Sequence, residues 1–295
     1  MMLYDMPLYR PPSEGSNLIL QVTYGCSFNE CSFCSMYKSK SYRARPMADI
    51  FADIEDAARD WPQAHRVFLA DGDALGLGFA ELKQILLKLA ETFPDLQRVS
   101  AYATPVNLLR KSAQELEQLR GLRLSLVYVG IESGSPEILK RVTKGASPAS
   151  IEKALAKARA ADIKVSATVI LGLGGRTLWR EHIEGTVELI NKTAPTYLST
   201  LLLGLEETQG PRFMQRFERL GGAFEWQDET GTLRELNQLV SGLEPVRPVI
   251  FRSNHASNSL ALAGNLPKDK SRLLSEIASA LSGETKLRSR YIRAF

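Results

Sequence analysis

Residues Asn17–Tyr37 read NLILQVTYGCSFNECSFCSMY. The first half is a short apolar run rich in branched and aromatic residues, the pattern of a buried strand. It runs straight into a loop that holds all three cysteines of the 295-residue chain, Cys26, Cys31 and Cys34. A strand that ends in chemistry-bearing residues is how α/β proteins build ligand sites. The same juxtaposition recurs down the chain.

RVFLADGDAL from Arg66, RVSAYATP from Arg98, LRLSLVYVGIESG from Leu122, IKVSATVILGLGG from Ile163 and PTYLSTLLLG from Pro195 are short apolar runs closed by Gly, Asp or Pro. Helical patterns lie between them: MADIFADIEDAARDW, FAELKQILLKLAETF, KSAQELEQLRG, SPASIEKALAKARAAD and TLWREHIEGTVELINK. Six strands alternating with helices require parallel pairing through right-handed crossovers. The expected fold class is therefore α/β, either an open doubly wound sheet or a barrel. Cys26, Asp71, Asp73, Thr104, Glu132, Ser133, Thr168 and Gly172 fall at the C-terminal ends of these strands, the rim where ligands bind.

After Gly204 the rhythm changes. PRFMQRFERLGG, TGTLRELNQLVSGL and PKDKSRLLSEIASALSG read as helices, and PVIF as a seventh short strand. The expected division is a core barrel over residues 1–204 and a mostly helical C-terminal extension over 205–295 that packs on it.

A net charge of +4 with 44% hydrophobic and 24% charged residues is ordinary for a globular enzyme and demands no polyanionic partner. The stretch MMLYDMPLYRPPSEG has no apolar core for a signal peptide. VSATVILGLGG covers about half a membrane span and is broken by glycines. A cytoplasmic location and no membrane partner are expected. Three crowded cysteines in a reducing compartment point to a metal or redox centre rather than a disulfide framework.

The spacing C-x4-C-x2-C can converge on one metal centre. A structural zinc wants four protein ligands, and His65, His182 and His255 are far off in sequence. A [4Fe–4S] cluster normally takes four cysteines. Three leave an open iron, which argues for catalysis.

At this point the sequence resembles the radical S-adenosylmethionine (SAM) superfamily, in particular its Elp3/MiaB/NifB-like branch, over residues 15–204. Of the two architectures the resemblance implies the barrel, a partial (β/α)6 TIM-like one. It implies a [4Fe–4S] cluster on Cys26, Cys31 and Cys34, with SAM chelated at the unique iron. It implies reductive cleavage to methionine and a 5′-deoxyadenosyl radical, oxygen-sensitive chemistry. Phe33 matches the aromatic that lies against the adenine. LADGDAL resembles the segment that meets the methionine amino group, which makes Asp71, Gly72 and Asp73 candidates. VGIESGSPEILKRVTKG resembles the branch's Gly-Ile-Glu-Ser-Gly motif and implies Glu132 and Ser133, with Lys144, near the ribose or methionine end. TVILGLGG resembles the strand that packs on the adenine, with candidates Thr168, Leu171, Gly172 and Leu173; Arg176 would reach the carboxylate. The commonest spacing in the family is C-x3-C-x2-C, so this chain carries one extra residue in SFNE.

The segment FRSNHASN from Phe251 packs six hydrogen-bonding side chains into seven residues after an apolar strand. It reads either as a polar capping loop or as a substrate site, in which His255 would exchange a proton and Arg252 would grip a carboxylate or phosphate. The three cysteines argue against an all-cysteine auxiliary cluster, hence against sulfur insertion and methylthiolation. The 16 residues ahead of the first strand argue against a preceding cobalamin domain. Hydrogen abstraction from a small-molecule substrate is the expected reaction, with a flavodoxin or ferredoxin as electron donor. A tRNA-modifying role is the alternative; no RNA-binding domain is evident. Two readings from other classes stay open: a non-catalytic iron–sulfur electron carrier or sensor, and a zinc-stabilised binding module.

Overall fold

A computed structural model describes residues 2–293. The chain divides into two compact units. One comprises Met1–Asn29, Met36–Val129 and Lys153–Val165, the other Glu30–Ser35, Gly130–Glu152 and Ser166–Phe295.

The first unit carries β1 (Leu18–Gln21), the short β2 (Thr23–Tyr24) and β3 (Arg43–Ala44), then β4 (Arg66–Ala70), β5 (Arg98–Ala103) and most of β6 (Leu124–Glu132). Its helices are α1 (Met47–Asp60), α2 (Phe79–Thr92), α3 (Pro105–Arg110) and α4 (Ala113–Gly121). β1, β4, β5 and β6 pair in that order, all parallel, with Leu20 opposite Leu69, Leu69 opposite Ala101 and Ala101 opposite Val127. Val67, Phe68 and Leu69 are all fully buried, as a strand covered on both faces requires. α1 buries Ile50, Ile54 and Ala57, and α2 buries Leu82, Ile85, Leu86 and Leu89. Ser112 caps α4 through the amide of Glu115, as expected. Ile19, Phe68 and Ala70 form an inner cluster joined by Leu8, Tyr102 and Tyr128. Phe68 and Tyr102 meet edge to face at 5.1 Å. The Tyr128 hydroxyl donates to the buried Glu14, which also pairs with Arg98.

The second unit carries α5 (Pro136–Arg141), α7 (Trp179–Thr193), β8 (Tyr197–Leu202), α8 (Gly210–Glu218), α9 (Glu229–Gly242), β9 (Val249–Ser253), β10 (Leu262–Leu266) and α10 (Lys270–Leu281). The helix α6 (Pro148–Ala160) and strand β7 (Lys164–Leu171) run through both units. β7 and β8 are parallel, as are β8 and β9; β9 and β10 are antiparallel, with Phe251 opposite Gly264. Ile138, Val142, Ile170, Leu173, Leu203, Phe213, Phe217 and Phe224 form the hydrophobic cluster that organises this unit's site.

The six expected strands are present, the fold is mostly parallel α/β, and PVIF begins β9. The strand β10 and the short helices α3 and α5 were not anticipated. Among the described residues no helix is long and apolar enough to cross a membrane.

Candidate cofactor site

In the first unit, the chain leaving β2 through Gly25 and Cys26 runs beside the turn leaving β4, Asp71–Asp73. Both aspartates are fully buried. Asp71 Oδ2 accepts from Lys40 Nζ at 2.9 Å, Gln21 Nε2 at 3.2 Å and the Gly25 amide at 3.3 Å. Its other oxygen, Oδ1, is buried without a hydrogen-bond partner, as is the Tyr37 hydroxyl. Burial, then the charge of Asp71 and the phenol's close approach to that carboxylate, just outside good hydrogen-bond geometry, hold Tyr37 protonated well above its ordinary range. Asp73 Oδ1 accepts from the Ser27 amide at 2.9 Å, and Oδ2 accepts from the Ser27 hydroxyl and from Asn107 Nδ2. Burial raises the Asp73 carboxyl, against the bonds from Ser27 and Asn107. The Gly72 amide donates to Gly25 O at 3.0 Å. A Cβ on Gly72 would lie 2.8 Å from the Tyr37 ring and 2.9 Å from Cys26 Cβ, so only glycine fits without displacement.

In the second unit, the segment Glu30–Ser35 brings Cys31, Phe33 and Cys34. All three cysteines are half-buried and none is in a disulfide. The Ser32 amide and hydroxyl both donate to Val142 O just past α5, which docks the segment. Phe33 packs against the cluster that contains Ile170 and Leu173, so two expected adenine-side residues share one apolar wall. Glu132 ends β6 with φ of 62°, the left-handed region that costs a side chain-bearing residue. Lys144 Nζ donates to Glu132 Oε1 at 2.8 Å, with side chains only 11% and 9% exposed. Burial alone would lower the Lys144 ammonium, but Glu132 and then Cys31 and Cys34 outweigh it and raise it.

Ser133 is fully buried, and its hydroxyl meets His182 Nδ1 at 2.8 Å. His182 Nε2 lies 3.0 Å from Ile170 O. A carbonyl can only accept, so Nε2 carries the proton and Nδ1 accepts from Ser133. Burial lowers His182 to about 4, against the bond to Ile170. In the turn after β7, Leu171, Gly172 and Leu173 are buried and Thr168, opposite Ser199, is half-buried. The Gly172 amide donates to Glu235 Oε2 at 2.6 Å, and Gln227 bonds the other oxygen at 2.9 Å. Burial pushes the fully buried Glu235 carboxyl up to about 7, against those two bonds. Arg176 is exposed; its amide bonds Glu225 O and its guanidinium pairs with Asp228 at 3.2 Å.

Sequence reasoning missed His182 and Glu235. Each sits on the buried face of its helix, His182 four residues before Thr186 and Glu235 four before Leu239. A polar residue at an apolar position of a helical stripe was the available signal.

Past β9, Ser257 Oγ accepts from the Leu202 amide at 3.0 Å and Asn258 Nδ2 donates to Thr200 O at 2.7 Å. The FRSNHASN loop thereby caps the end of β8. His255 Nδ1 meets Ser257 Oγ at 2.8 Å, and burial followed by Arg288 lowers its pKa. Arg252 donates to Phe251 O.

Residues 20–190 match the model of the Radical SAM superfamily. A tRNA-2-methylthio-N(6)-dimethylallyladenosine synthase of Bordetella avium is 25% identical over 197 residues, 61% of this chain and 39% of that protein. The chain spans less than half the length of the first curated relatives it matches. Among solved structures, coproporphyrinogen III oxidase (HemN) from Escherichia coli superposes with a TM-score of 0.57 at 17% identity, over 76% of this chain and 51% of that one. Methylornithine synthase (PylB) does so with a TM-score of 0.54 at 14% identity, over 92% and 74%. These likenesses carry the fold, the α/β partial barrel that the family resemblance implies, with its sheet not closed.

Proposed function

This chain belongs to the radical SAM superfamily, and we propose that Cys26, Cys31 and Cys34 hold a [4Fe–4S] cluster for the reductive cleavage of SAM. Bound there, the cluster and SAM supply a 5′-deoxyadenosyl radical that abstracts hydrogen from a small-molecule substrate. The observation that carries this reading is the family match itself, which includes all three cysteines and every strand-end candidate as far as Arg176.

Among the described residues no three His, Cys, Asp or Glu side chains are gathered tightly enough to hold a single metal ion, so the fit to the two groups rests on single residues within each unit. Against burial, Glu132 and then Cys31 and Cys34 raise the Lys144 ammonium, so a cation stands beside two of the proposed cluster ligands. Asp71 Oδ1 is a buried acceptor without a donor, suited to the ammonium of SAM's methionine end. Gly72 leaves room for close backbone approach. Glu132 is the ribose-side candidate, oriented by Lys144. Phe33 and Leu173 offer an apolar wall to the adenine, and Thr168, Leu171 and Gly172 line the strand behind it. Ser133 acts through His182, which its hydroxyl already engages. Arg176 would exchange Asp228 for the SAM carboxylate. His255 and Arg252 remain the substrate-side proposals, the proton and the anion contact, with a flavodoxin or ferredoxin as reductant.

The test is one anaerobic assay. The chain is reconstituted with iron and sulfide, reduced with dithionite and given SAM, and 5′-deoxyadenosine is measured by mass spectrometry beside a Cys34→Ala control. Product from the unaltered chain alone is expected. A cluster that forms yet neither cleaves SAM nor changes its EPR signal on SAM addition would favour electron transfer instead. A second reading, modification of tRNA, draws on the curated relatives that modify it; loss of one modified nucleoside in a deletion strain would establish it.

A further inference from the structure

We propose that the Asp71–Gly72–Asp73 turn is a template for Cys26: its two carboxylates and central amide fix the backbone on both sides of that cysteine before any cluster binds. The inference rests on the reading of Cys26 as a cluster ligand. It adds to the sequence expectation, in which Asp71, Gly72 and Asp73 are candidates to meet the methionine amino group of SAM.

Two residues of one strand end, Gly25 and Ser27, are laced to three of the other. The Gly25 amide donates to Asp71 Oδ2 at 3.3 Å. The Gly72 amide returns a bond to Gly25 O at 3.0 Å. The Ser27 amide donates to Asp73 Oδ1 at 2.9 Å, and the Ser27 hydroxyl to Oδ2. Cys26 is thus bracketed at the residue before it and the residue after it. The chain returning from the cysteine loop is tied to the same turn through Lys40 on Asp71 at 2.9 Å. Contact at Cys26 itself is set by Gly72, whose added Cβ would strike Cys26 Cβ.

Residue type follows from the geometry. The Gly25 amide is buried and has no ladder partner, so it needs another acceptor; Ser27 is exposed, and Asp73 holds its amide in competition with water. A carboxylate offers two oxygens and binds an amide about twice as strongly as a neutral group does. Both oxygens of Asp73 are engaged by the chain's own donors, with Ser27 on each and Asn107 on one. Asp73 is therefore a positioning residue, acting through Ser27. Asp71 divides its oxygens, Oδ2 toward the loop and Oδ1 without a partner.

The experiment reads the loop in metal-free protein. Asp73→Ala, Asp73→Asn and Ser27→Ala chains are alkylated with iodoacetamide, and the rate at each cysteine is mapped by mass spectrometry; amide deuterium exchange of the 25–27 stretch is followed in parallel. Asp73→Ala should speed Cys26 alkylation and Ser27 amide exchange about tenfold, the scale of one charge-assisted bond. Cys31 and Cys34 should stay within about twofold of wild type. Asp73→Asn keeps a neutral acceptor for the Ser27 amide, about half as strong, and should accelerate both rates only about threefold. Ser27→Ala, which keeps the amide bond to Oδ1 and loses the hydroxyl bond to Oδ2, should fall between wild type and Asp73→Ala. Equal rates at Cys26 in wild type and Asp73→Ala would overturn the proposal. So would an effect as large in Asp73→Asn, because the cause would then be charge and not the hold on Ser27. Neither result depends on a cluster forming, so failure of the radical SAM reading would be seen separately, in the SAM assay. If Asp73→Ala fails to fold, Asp73→Asn and Ser27→Ala decide alone, through exchange of the residue-27 amide: it should rise about threefold in Asp73→Asn and above wild type in Ser27→Ala, and wild-type exchange in Asp73→Asn overturns the proposal.

Discussion

Two buried groups at the site set opposite pH dependences, and their signs can be worked out residue by residue. His182 is held near 4 when folded, against about 6.5 unfolded. Its contribution is complete above the unfolded value and is lost as pH falls from about 6.5 toward 4, on the order of 3 kcal/mol. Glu235 runs the other way: its folded carboxyl lies near 7, so stability is lost as pH rises from the ordinary carboxyl range toward 7. Urea midpoints measured from pH 4.5 to 8 should show His182→Gln removing the acid-side loss. An unchanged profile would mean that His182 is solvated. At the Glu132–Lys144 pair, Lys144→Met should cost about 3 kcal/mol by leaving a buried carboxylate alone, and adding Glu132→Gln should recover more than half of it. A double-mutant cycle in urea measures that coupling. Legibility divides along the same line. The cysteines, Asp71, Asp73 and Glu132 were readable because strand ends advertise them. His182 and Glu235 were not, because only packing brings a helix residue under a strand end.

At the scale of elements, branched and aromatic runs made six strands legible. β10 was not, because LAGNL has no β-branched or aromatic residue and a glycine at its centre; pairing with β9 and burial of Leu262 and Leu266 make it a strand. The end of α8 was equally hidden. The buried Arg141 of α5 donates to Phe217 O at 2.6 Å, Gly221 O at 2.7 Å and Leu220 O at 3.2 Å, and stacks over the Phe217 ring. The sequence shows only an arginine in a family-like motif; the carbonyls it caps are some 80 residues on. A cation with a planar fork at a helix C-terminus satisfies carbonyls that nothing else reaches. Arg141→Met should cost about 2–3 kcal/mol, and Arg141→Lys should recover only part. Amide exchange over 213–221 should accelerate with it; an unchanged pattern there would show that α8 is held by its phenylalanines alone.

For the whole molecule, the question is where the chain can be cut. The change of rhythm at Gly204 reads as a boundary between barrel and extension. In the second unit that position lies between two strands paired in register, with Leu198 opposite Phe251 and Ser199 opposite Arg252. The cluster that receives Phe33 takes Phe213, Phe217 and Phe224 from beyond residue 204. The Gly172 amide likewise takes its acceptor from Glu235. Removing residues 205–295 would open β8 as an edge, expose apolar surface and leave the turn after β7 without its anchor. A chain ending at Gly204 should therefore lose near-ultraviolet circular dichroism and bind a hydrophobic dye, while a milder cut after Gly283, beyond α10, should keep the midpoint within a few degrees of wild type. The point change Glu235→Leu tests the same dependence without truncation: SAM affinity of the reconstituted chain, measured by equilibrium dialysis, should fall about tenfold with iron content unchanged. A 1–204 chain that kept native dichroism and bound SAM as the full chain does would show that the extension is separable, and that the site is complete without it.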